Sequence, residues 1–585
     1  MTRALLLAAL LGGCLSVTAA PVPQCKVTAD CDSAHGEVCS DGTCYGNPPT
    51  GAFAALVSPP SDRTDLVARQ VLDFRIPLDG RFADVQLDEP ITYKGTLAGC
   101  AAGEPCDPTS MDATITVTGK STFAGGPSFL GVFTAPAHEG FDLQVPRTHA
   151  NETYSVTILP GGRDASPTTG TTAAQLIPPY HVNMAFTESA ANQTISLGDG
   201  DATHPIHTLR GKISTTSGVP VSNYRVVAVG HWEPDGALVE VSTIDYTGTD
   251  GTYELQVSAD LTDEVRIVAT SYAAALRPTL SIGNIVPSVD SENNNLQLPD
   301  LLGSAHPVSI PVDGVNGSGV VGPIAGATVT ITGSVMAGTT RATIVAVDTT
   351  DADGFATHLA LLDGEELTAS YRMAIVPPAN ASVGVLLDQP LTFAGSLVAL
   401  RLPDRVAIRG RVRDHDGAPV KGVSVTARPA LSFLWNLHPA LQSVLSTVPP
   451  ATTVTPESGE FIVFVDRALG TVGGRYDLAF DSTSAAQIPN YTQTDIAVPT
   501  EATIPAIALP DITLPDAAFV HGFVTDPDGK RVGGAELKIY ELPSSQLTLC
   551  TQVQYAPASC PVPAQLLGRG ASSASGELRV ILPRN

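Results

Sequence analysis

Apolar and polar residues alternate in short runs along most of the chain. Three of these runs begin at a glycine: GTYELQV from Gly251, GEFIVFV from Gly459 and GELRVIL from Gly576. A period of two is typical of a β-strand with one buried face, and a sheet of such strands needs a second sheet to cover it. The pattern therefore predicts an all-β protein built from β-sandwiches.

A longer repeat recurs about every 100 residues. The tripeptide Leu-Pro-Asp starts at Leu298, Leu402 and Leu509, and a variant, Leu-Gly-Asp, starts at Leu197. Repetition at this length indicates tandem modules, each closing its own core. A chain of 585 residues, of which 43% are apolar, has enough material for several such cores.

Three repeats share an extended pattern, in which a strand with a glycine near its start is followed by a turn and a second strand. The stretches are GKISTTSGVPVSNYRVVAV from Gly211, GRVRDHDGAPVKGVSVTAR from Gly410 and GFVTDPDGKRVGGAELKIY from Gly522. The pattern resembles the carboxypeptidase regulatory-like domain, a relative of transthyretin-like and Cna-B-type sandwiches, over roughly Asp199–Asn585. This resemblance implies Ig-like or prealbumin-like sandwiches that serve as stalk, spacer or carbohydrate-binding-like modules, and it implies no peptidase activity.

Two repeats depart from this pattern. The repeat that begins near Pro307 keeps only the second half, PIAGATVTI from Pro323, so its first strand is a weaker match. The last repeat stops soon after Gly576, without a further strand like GGRYDLAF, which comes after Gly459 in the preceding repeat. We therefore expect an open sheet edge in the last module, and such an edge is either covered or accepts a strand from a partner.

These features predict an elongated array of sandwich modules behind a small disulfide-rich segment. The predicted organisation is a signal peptide (1–13), a lipidated cysteine-rich segment (14–46), a linker (47–66), a divergent Ig-like sandwich (67–165), a second linker (166–198), a carboxypeptidase regulatory-like module (199–300), a degenerate module (301–404), another carboxypeptidase regulatory-like module (405–511) and a C-terminal module that can be incomplete (512–585).

The N-terminus has the features of an export signal. Arg3 precedes an apolar run, Ala4–Leu11, that is too short to span a bilayer permanently. The following Leu-Gly-Gly-Cys resembles the bacterial lipobox, which implies acylation of Cys14 and attachment to the outer membrane or cell surface. The alternative is cleavage after Ala19 or Ala20, which would release a secreted protein.

Nine cysteines are present, and Cys14 is the odd one among them. The other eight form three local groups: Cys25, Cys31, Cys39 and Cys44; Cys100 and Cys106; Cys550 and Cys560. In an oxidising compartment each group can form internal disulfides, and the first segment has too few apolar residues to fold without them. Its connectivity stays open. Zinc is the alternative for the first group, but the paired CxxC knuckles of zinc sites are absent there.

The charge and the motifs argue against two classes of function. A net charge of −26 opposes binding to nucleic acid, and GxSxG, HExxH and P-loop motifs are absent from the sequence. We therefore predict no catalytic residue, cofactor or metal site. The turns DADG, DHDG and DPDG, from Asp351, Asp414 and Asp526, offer carboxylates that calcium could use, but such sequences are typical of tight turns.

Both tryptophans lie in connections that differ between repeats. Trp232 is in HWEPDGA, and Trp435 is in ALSFLWNLHPALQSVLSTV. Variable loops on a fixed scaffold are common binding sites, and a Trp ring can stack on a sugar or anchor a protein. The predicted function is a non-catalytic envelope lipoprotein, a stalk or adhesion scaffold whose partners are the membrane and a polysaccharide or envelope protein. The alternatives are a carbohydrate-binding surface protein and, last, an enzyme with an unrecognised site.

Overall fold

The computed structural model places β-strands throughout the chain, with two single-turn 3-10 helices at Thr28–Asp30 and Ser33–His35. It describes residues 25–51, 53–100, 112–119, 129–136, 139–148, 153–161, 177–198, 205–232, 238–261, 263–272, 277–299, 306–315, 320–362, 369–378, 381–391, 400–430, 433, 450–469, 472–482, 488–499, 506–541 and 565–585. The prediction of an all-β fold is confirmed.

The first strands lie in the segment before residue 89. They are β1 (Val38–Ser40), β2 (Thr43–Tyr45), β3 (Phe53–Ser58), β4 (Arg69–Phe74) and β5 (Val85–Gln86). The interval 47–66, expected to be a linker, therefore contains β3, five of whose six residues are buried. Its run of consecutive apolar residues does not alternate, because neighbours cover both faces of the strand.

The second set of strands forms a complete sandwich. It consists of β6 (Ile91–Cys100), β7 (Ala113–Gly119), β8 (Phe129–Ala135), β9 (Phe141–Val145), β10 (Tyr154–Pro160), β11 (Tyr180–Met184) and β12 (Ala190–Gly198). One sheet has the order β12-β6-β9 and the other β11-β10-β7-β8, and β12 runs parallel to β6. The interval 166–198, expected to be a second linker, supplies β11 and β12 to these sheets.

The third and fourth sandwiches share one long sheet. The third contains β13 (Ile206–Thr215), β14 (Tyr224–Gly230), β15 (Val239–Glu240), β16 (Asp245–Tyr246), β17 (Thr252–Ser258), β18 (Val265–Ser271), β19 (Thr279–Ile285) and β20 (Leu296–Leu298). The fourth contains β21 (His306–Val315), β22 (Val321–Pro323), β23 (Thr328–Ala337), β24 (Thr340–Thr349), β25 (Phe355–Leu361), β26 (Arg372–Val376), β27 (Leu386–Pro390) and β28 (Leu400–Arg401). Strand β19 pairs with β24, which joins the two sandwiches edge to edge.

The remaining strands belong to a fifth sandwich and to the C-terminal module. They are β29 (Val406–Arg413), β30 (Val423–Pro429), β31 (Ala451–Val454), β32 (Glu460–Val465), β33 (Ala468–Leu469), β34 (Val472–Gly473), β35 (Arg475–Ser482), β36 (Tyr491–Ala497), β37 (Ala506–Ala508) and β38 (Ile512–Thr513), and then β39 (Ala517–Thr525), β40 (Glu536–Glu541), β41 (Gln565–Ala571) and β42 (Glu577–Pro583). Strands β29 to β38 form the fifth sandwich.

One plan recurs in these sandwiches. The first strand lies between an antiparallel partner and a parallel last strand, as β13 lies between β17 and β20, and β29 between β32 and β37. Strand β21 of the degenerate repeat has the same neighbours, β25 and β28, although its sequence is a weak match. The second strand pairs with a strand on either side in the opposite sheet. Side-chain alternation and backbone pairing therefore give each repeat the same fold.

Candidate interaction site where the two chain ends meet

The last four strands complete their sandwich with strands from the other end of the chain. Strand β3 pairs antiparallel with β40 in six consecutive positions, from Phe53 opposite Glu541 to Ser58 opposite Glu536. Strand β4 extends that sheet beyond β3, and β5 runs parallel to β39 in the facing sheet. The C-terminal module, expected to lack strands and expose an edge, is therefore closed by residues 53–88. We call this unit the split sandwich.

The two ends of the chain share one hydrophobic core. Ala55 and Val57 from β3 pack with Val520, Leu537 and Val580 from the C-terminal strands, and all five side chains are buried. Because apolar burial contributes about 25 cal/mol per Å², separating the ends would expose a costly apolar face on each. Neither half has the two complete layers that a sandwich needs.

Phe82 packs against a repeat glycine, as an aromatic residue of the same module does in two other sandwiches. A Cβ atom on Gly211 would lie 2.5 Å from the Tyr253 hydroxyl, and one on Gly410 would lie 2.7 Å from the Phe461 ring. Gly522 has the corresponding position in β39, and a Cβ there would overlap the ring of Phe82. The three repeat glycines thus have equivalent surroundings: an aromatic side chain packs on the bare backbone, and in the split sandwich it comes from the opposite chain end.

The cysteine-rich segment forms a knot on the same sheet. Disulfides join Cys25 to Cys39 and Cys31 to Cys44, which confirms disulfides in this group and settles their pairing. Strand β2 lies parallel to β39, with Tyr45 beside Phe519. Among the described residues, Cys25, Cys31 and Cys44 are the one group whose ligand atoms are close enough for a metal ion, and their sulfurs are in the disulfides.

Charged and aromatic contacts fix this knot to the C-terminus. The Arg584 guanidinium donates to Glu37 and Asp516, and lies 3.5 Å from Asp32. The Asn585 amide donates to the Asn47 carbonyl at 3.2 Å. Charge-assisted hydrogen bonds of this kind are stronger than neutral ones, so Arg584 links the last residues of the chain to the knot.

Tyr45 and His521 form the aromatic part of this contact. Their ring centroids are 4.2 Å apart, and the Arg579 guanidinium lies 5.8 Å from the Tyr45 ring centroid. Burial lowers the pKa of His521 and raises the pKa of Tyr45, because each loses contact with water. Both rings are therefore held in their neutral forms where the knot covers β39.

A cavity of about 440 Å³ lies between the split sandwich and the second sandwich. Arg63 borders it and lies 2.7 Å from Asp65 and 3.6 Å from Asp526, and Glu89 and Asp528 also line it. The side-chain hydrogen bond from Arg63 lowers the pKa of Asp65. The cavity is open to solvent and lined mostly by polar side chains. The positive charge at its border is that of Arg63, which is already paired with Asp65.

The aspartate-rich turns use their first carboxylate locally. Asp526 accepts the Lys530 amide at 2.8 Å, and Asp414 accepts the Ala418 amide at 2.8 Å. Asp351 accepts the amides of Asp353 and Phe355, both at 2.9 Å. These hydrogen bonds are those expected of tight turns.

Trp232 lies at the junction between the second and third sandwiches. Its ring stacks on His181 with centroids 5.6 Å apart and an interplanar angle of 16°, and it packs against the core of the third sandwich. The predicted ligand-binding Trp232 is thus half-buried between modules. Trp435, Cys14, Cys106, Cys550 and Cys560 lie outside the described residues, and Cys100 is described only as the last backbone position of β6.

The junction between the fourth and fifth sandwiches contains a buried ion pair that the sequence did not indicate. The Asp466 carboxylate lies 3.6 Å from the Arg405 guanidinium and accepts the Val385 amide at 2.8 Å. Desolvation raises the pKa of Asp466, although the Arg405 charge acts against it. Val385 and Leu387 of the fourth sandwich pack into the core of the fifth. Polar and apolar contacts thus fix this junction together.

The split sandwich was not predicted from the sequence, and its one available signal was that the last repeat lacks strands. Counting strands shows that the last repeat ends after four, while the segment before residue 89 contributes three beyond the knot. Within the described residues, no helix combines the length and apolar character needed to cross a bilayer.

Comparison with known proteins gives matches in structure alone. No known protein family and no curated protein matches the sequence. Solved structures that resemble the chain include a streptococcal ancillary pilin (10% identity, TM-score 0.17, covering 54% of this chain and 98% of that one) and the Bacillus anthracis TIE protein (9%, 0.13, 72% and 72%). The major pilin subunit of Bacillus cereus is also similar (10%, 0.12, 52% and 99%). At these identities and scores, the matches carry no functional information.

Proposed function

We propose that this protein is a non-catalytic scaffold of the bacterial cell envelope, anchored by a lipid on Cys14. The observation that carries the proposal is the connectivity: the sandwiches follow one another through connectors such as 402–405 and 514–516, and the last one closes on the first strands. A chain arranged in this way can hold surfaces at fixed positions relative to its anchor. The shared strand order supports the resemblance to carboxypeptidase regulatory-like modules.

Two further observations support an extracytoplasmic site. The knot depends on two disulfides, which persist in oxidising compartments and are rare in the cytosol. Residue 25, where the described chain begins, belongs to this knot, so residues 15–24 would separate the lipid from the split sandwich. The split sandwich would therefore be the module nearest the membrane, and the middle modules would face envelope polysaccharide or protein.

The experiment is to determine the mature N-terminus and the location of the protein in its own host. Mass spectrometry is expected to find an acylated Cys14 as the first residue, and fractionation is expected to find the protein with membranes. Cys14→Ser should move it to the soluble fraction, while Cys100→Ser/Cys106→Ser, which removes a predicted pair and leaves no partnerless cysteine of that group, serves as the matched control. A mature chain that begins at Ala20 or Pro21 would contradict the anchor.

A further inference from the structure

The strands that close the split sandwich form a unit with a short hinge. We call residues 53–88 the donor and residues 517–583 the acceptor. The donor remains hydrogen-bonded to its own module up to Asp88, whose carbonyl accepts the Val67 amide, and β6 of the next sandwich starts at Ile91. Glu89 and Pro90 are thus the whole connection, and rotation at these two residues would release the donor without altering the second sandwich. Short hinges of this kind favour exchange of elements between copies.

Donor and acceptor each need the other. The inward side chains of β3 contact acceptor residues, with Ala55 opposite Ile539 and Val57 opposite Leu537, and all four are buried. The donor contributes only the two-residue β5 to the second layer, and the acceptor without β3 has an unpaired edge along β40. Unpaired edges over apolar faces recruit strands, and the segment that fits this edge in length, register and side chains is the donor sequence itself.

Closure within one chain depends on every junction between the donor and the acceptor. Pairing of β19 with β24 fixes the third sandwich to the fourth, and the Asp466 carboxylate fixes the fourth to the fifth through the Val385 amide. His181 and Trp232 link the second to the third. Fixed junctions determine the position of the acceptor relative to the donor. Closure within one chain therefore depends on the geometry of the junctions and not on the length of a flexible linker. A donor from another copy makes the same contacts without this constraint.

We propose that the split sandwich is also a self-association site, at which the donor of one copy completes the acceptor of a second copy of this chain. Donor and acceptor are different surfaces, so the contact is heterologous: reciprocal exchange gives a closed dimer, and one-way exchange gives an open chain of copies. The knot moves with the donor that follows it and makes its contacts with β39 and Arg584 in the second copy. Every hydrogen bond between β3 and β40 is then retained, and only the hinge at Glu89 and Pro90 changes. The inference goes beyond the scaffold role, because it holds whether or not the protein is anchored.

The test uses two full-length variants whose introduced cysteines become neighbours only across the shared interface. Ala55 and Ile539 are direct antiparallel partners, a spacing that a disulfide can span. Ala55→Cys and Ile539→Cys are mixed in equal amounts, concentrated stepwise to about 1 mM, which favours contact between copies, and then oxidised. The expected result on a non-reducing gel is a covalent dimer whose fraction rises at least tenfold between about 10 μM and 1 mM.

Matched controls separate exchange from random oxidation. Thr426 and Ala479 are antiparallel partners within the fifth sandwich, whose strands are contiguous in the chain, so mixed Thr426→Cys and Ala479→Cys should give no covalent dimer. The double variant Ala55→Cys/Ile539→Cys at low concentration should form the bond within one chain, which shows that the variants fold. Leu56→Cys with Lys538→Cys repeats the test at the adjacent pair. If both donor–acceptor mixtures give no more dimer than the Thr426/Ala479 mixture at about 1 mM, exchange does not occur and the proposal is overturned.

Discussion

At the residue scale, the repeat glycines explain how one sequence motif fits both continuous and split sandwiches. At each glycine an aromatic side chain occupies the space that a Cβ atom would need. The aromatic residue is Tyr253 at Gly211, Phe461 at Gly410 and Phe82 at Gly522. The first two aromatics lie on the antiparallel partner strand, opposite their glycines. Opposite Gly522 the partner strand has Leu578, which carries no aromatic ring. The ring that packs on Gly522 is therefore that of Phe82, from a distant part of the chain.

Gly522→Ala should destabilise the split sandwich by about 1–3 kcal/mol, because the added methyl group would force the Phe82 ring out of place. The expected measurement is a lower urea midpoint for that sandwich, followed by hydrogen exchange of the β39 amides. Gly322→Ala is the control, since a Cβ there meets no atom within 4 Å. In Gly522→Ala/Phe82→Ala the two effects should not add, because the second substitution removes the clash. Additive losses would show that the ring does not pack on this glycine.

Acid should loosen the split sandwich through His521. Burial lowers the pKa of His521 below its ordinary value of 6.5, with Arg81 and Arg579 acting in the same direction and Glu577 and Asp79 against it. The unfolded chain therefore takes up a proton first as the pH falls. This contribution to stability is complete above about pH 6.5 and is lost as the pH falls toward the folded-state pKa.

The measurement is hydrogen exchange of the β39 amides between pH 7.5 and 5, corrected for the intrinsic pH dependence. His521→Gln should flatten the profile, whereas His358→Gln, which alters an exposed histidine of the fourth sandwich, should leave it unchanged. A steep profile that persists in His521→Gln would assign the effect to another group.

At the element scale, alternation predicted the strands but not their partners. GTYELQV and GEFIVFV each became the antiparallel neighbour of a first strand, β17 for the third sandwich and β32 for the fifth. Two segments, 47–66 and 166–198, were expected to be linkers, yet they hold β3, β11 and β12, and the alternation of YHVNM from Tyr180 was missed. Periodicity reports which face is buried, not which strand covers it. Pairing between β3 and β40 joins residues more than 470 positions apart, so nothing local in the sequence specifies it.

The same limit applies to the candidate site. Cysteine spacing predicted the disulfides of the knot, since a segment with so few apolar residues needs covalent links. It did not predict that the knot packs on β39, because Tyr45, His521 and Arg584 have no sequence pattern in common. Trp232 was a candidate for ligand stacking, but its stacking partner is His181 of the neighbouring sandwich. Composition identified a ring with a large apolar face, and the junction between modules determined what it contacts.

Reduction of the knot should weaken the attachment of the N-terminal segment. The disulfides span sequence separations of 14 and 13, and closing a loop of this length contributes about 3 kcal/mol to stability in the chain-entropy model. Cys31→Ser/Cys44→Ser should therefore make residues 25–47 sensitive to protease while β40 and β42 stay protected, because the core of the split sandwich does not include the knot. Limited proteolysis with mass spectrometry measures this difference. Equal loss of protection in both regions would mean that the knot and the sandwich unfold together.

At the scale of the whole molecule, residues 53–88 and 517–583 share one sandwich, although four other sandwiches lie between them in the chain. Its topology is that of a loop, because the donor and the acceptor flank the four contiguous sandwiches. In this arrangement β3 covers the edge of β40 that the acceptor strands would otherwise leave unpaired. Closure also depends on the geometry of the junctions, because a changed angle between two sandwiches would separate the donor from the acceptor.

A circular permutant tests this arrangement directly. Segments that lie close together can be joined by a short linker, and here the C-terminal residues contact the knot segment, since Asn585 donates to Asn47 and Arg584 contacts Glu37. Joining residue 585 to residue 25 through a short glycine-rich linker, and opening the chain between Gly198 and Pro205, makes the split sandwich contiguous. The permutant retains every strand pair, so its circular dichroism spectrum and urea midpoint should match those of the original chain or exceed them.

The permutant should also lose the ability to exchange strands, because donor and acceptor are then neighbours in sequence, as in the fifth sandwich. Permuted Ala55→Cys mixed with permuted Ile539→Cys should give no concentration-dependent covalent dimer, while the same pair in the original order should give one. A permutant that folds and still forms the dimer would locate self-association elsewhere on the surface. A permutant that fails to fold would contradict the closed loop itself, because the new linker starts at Asn585, which already contacts the N-terminal segment at Asn47, and every strand pair is retained.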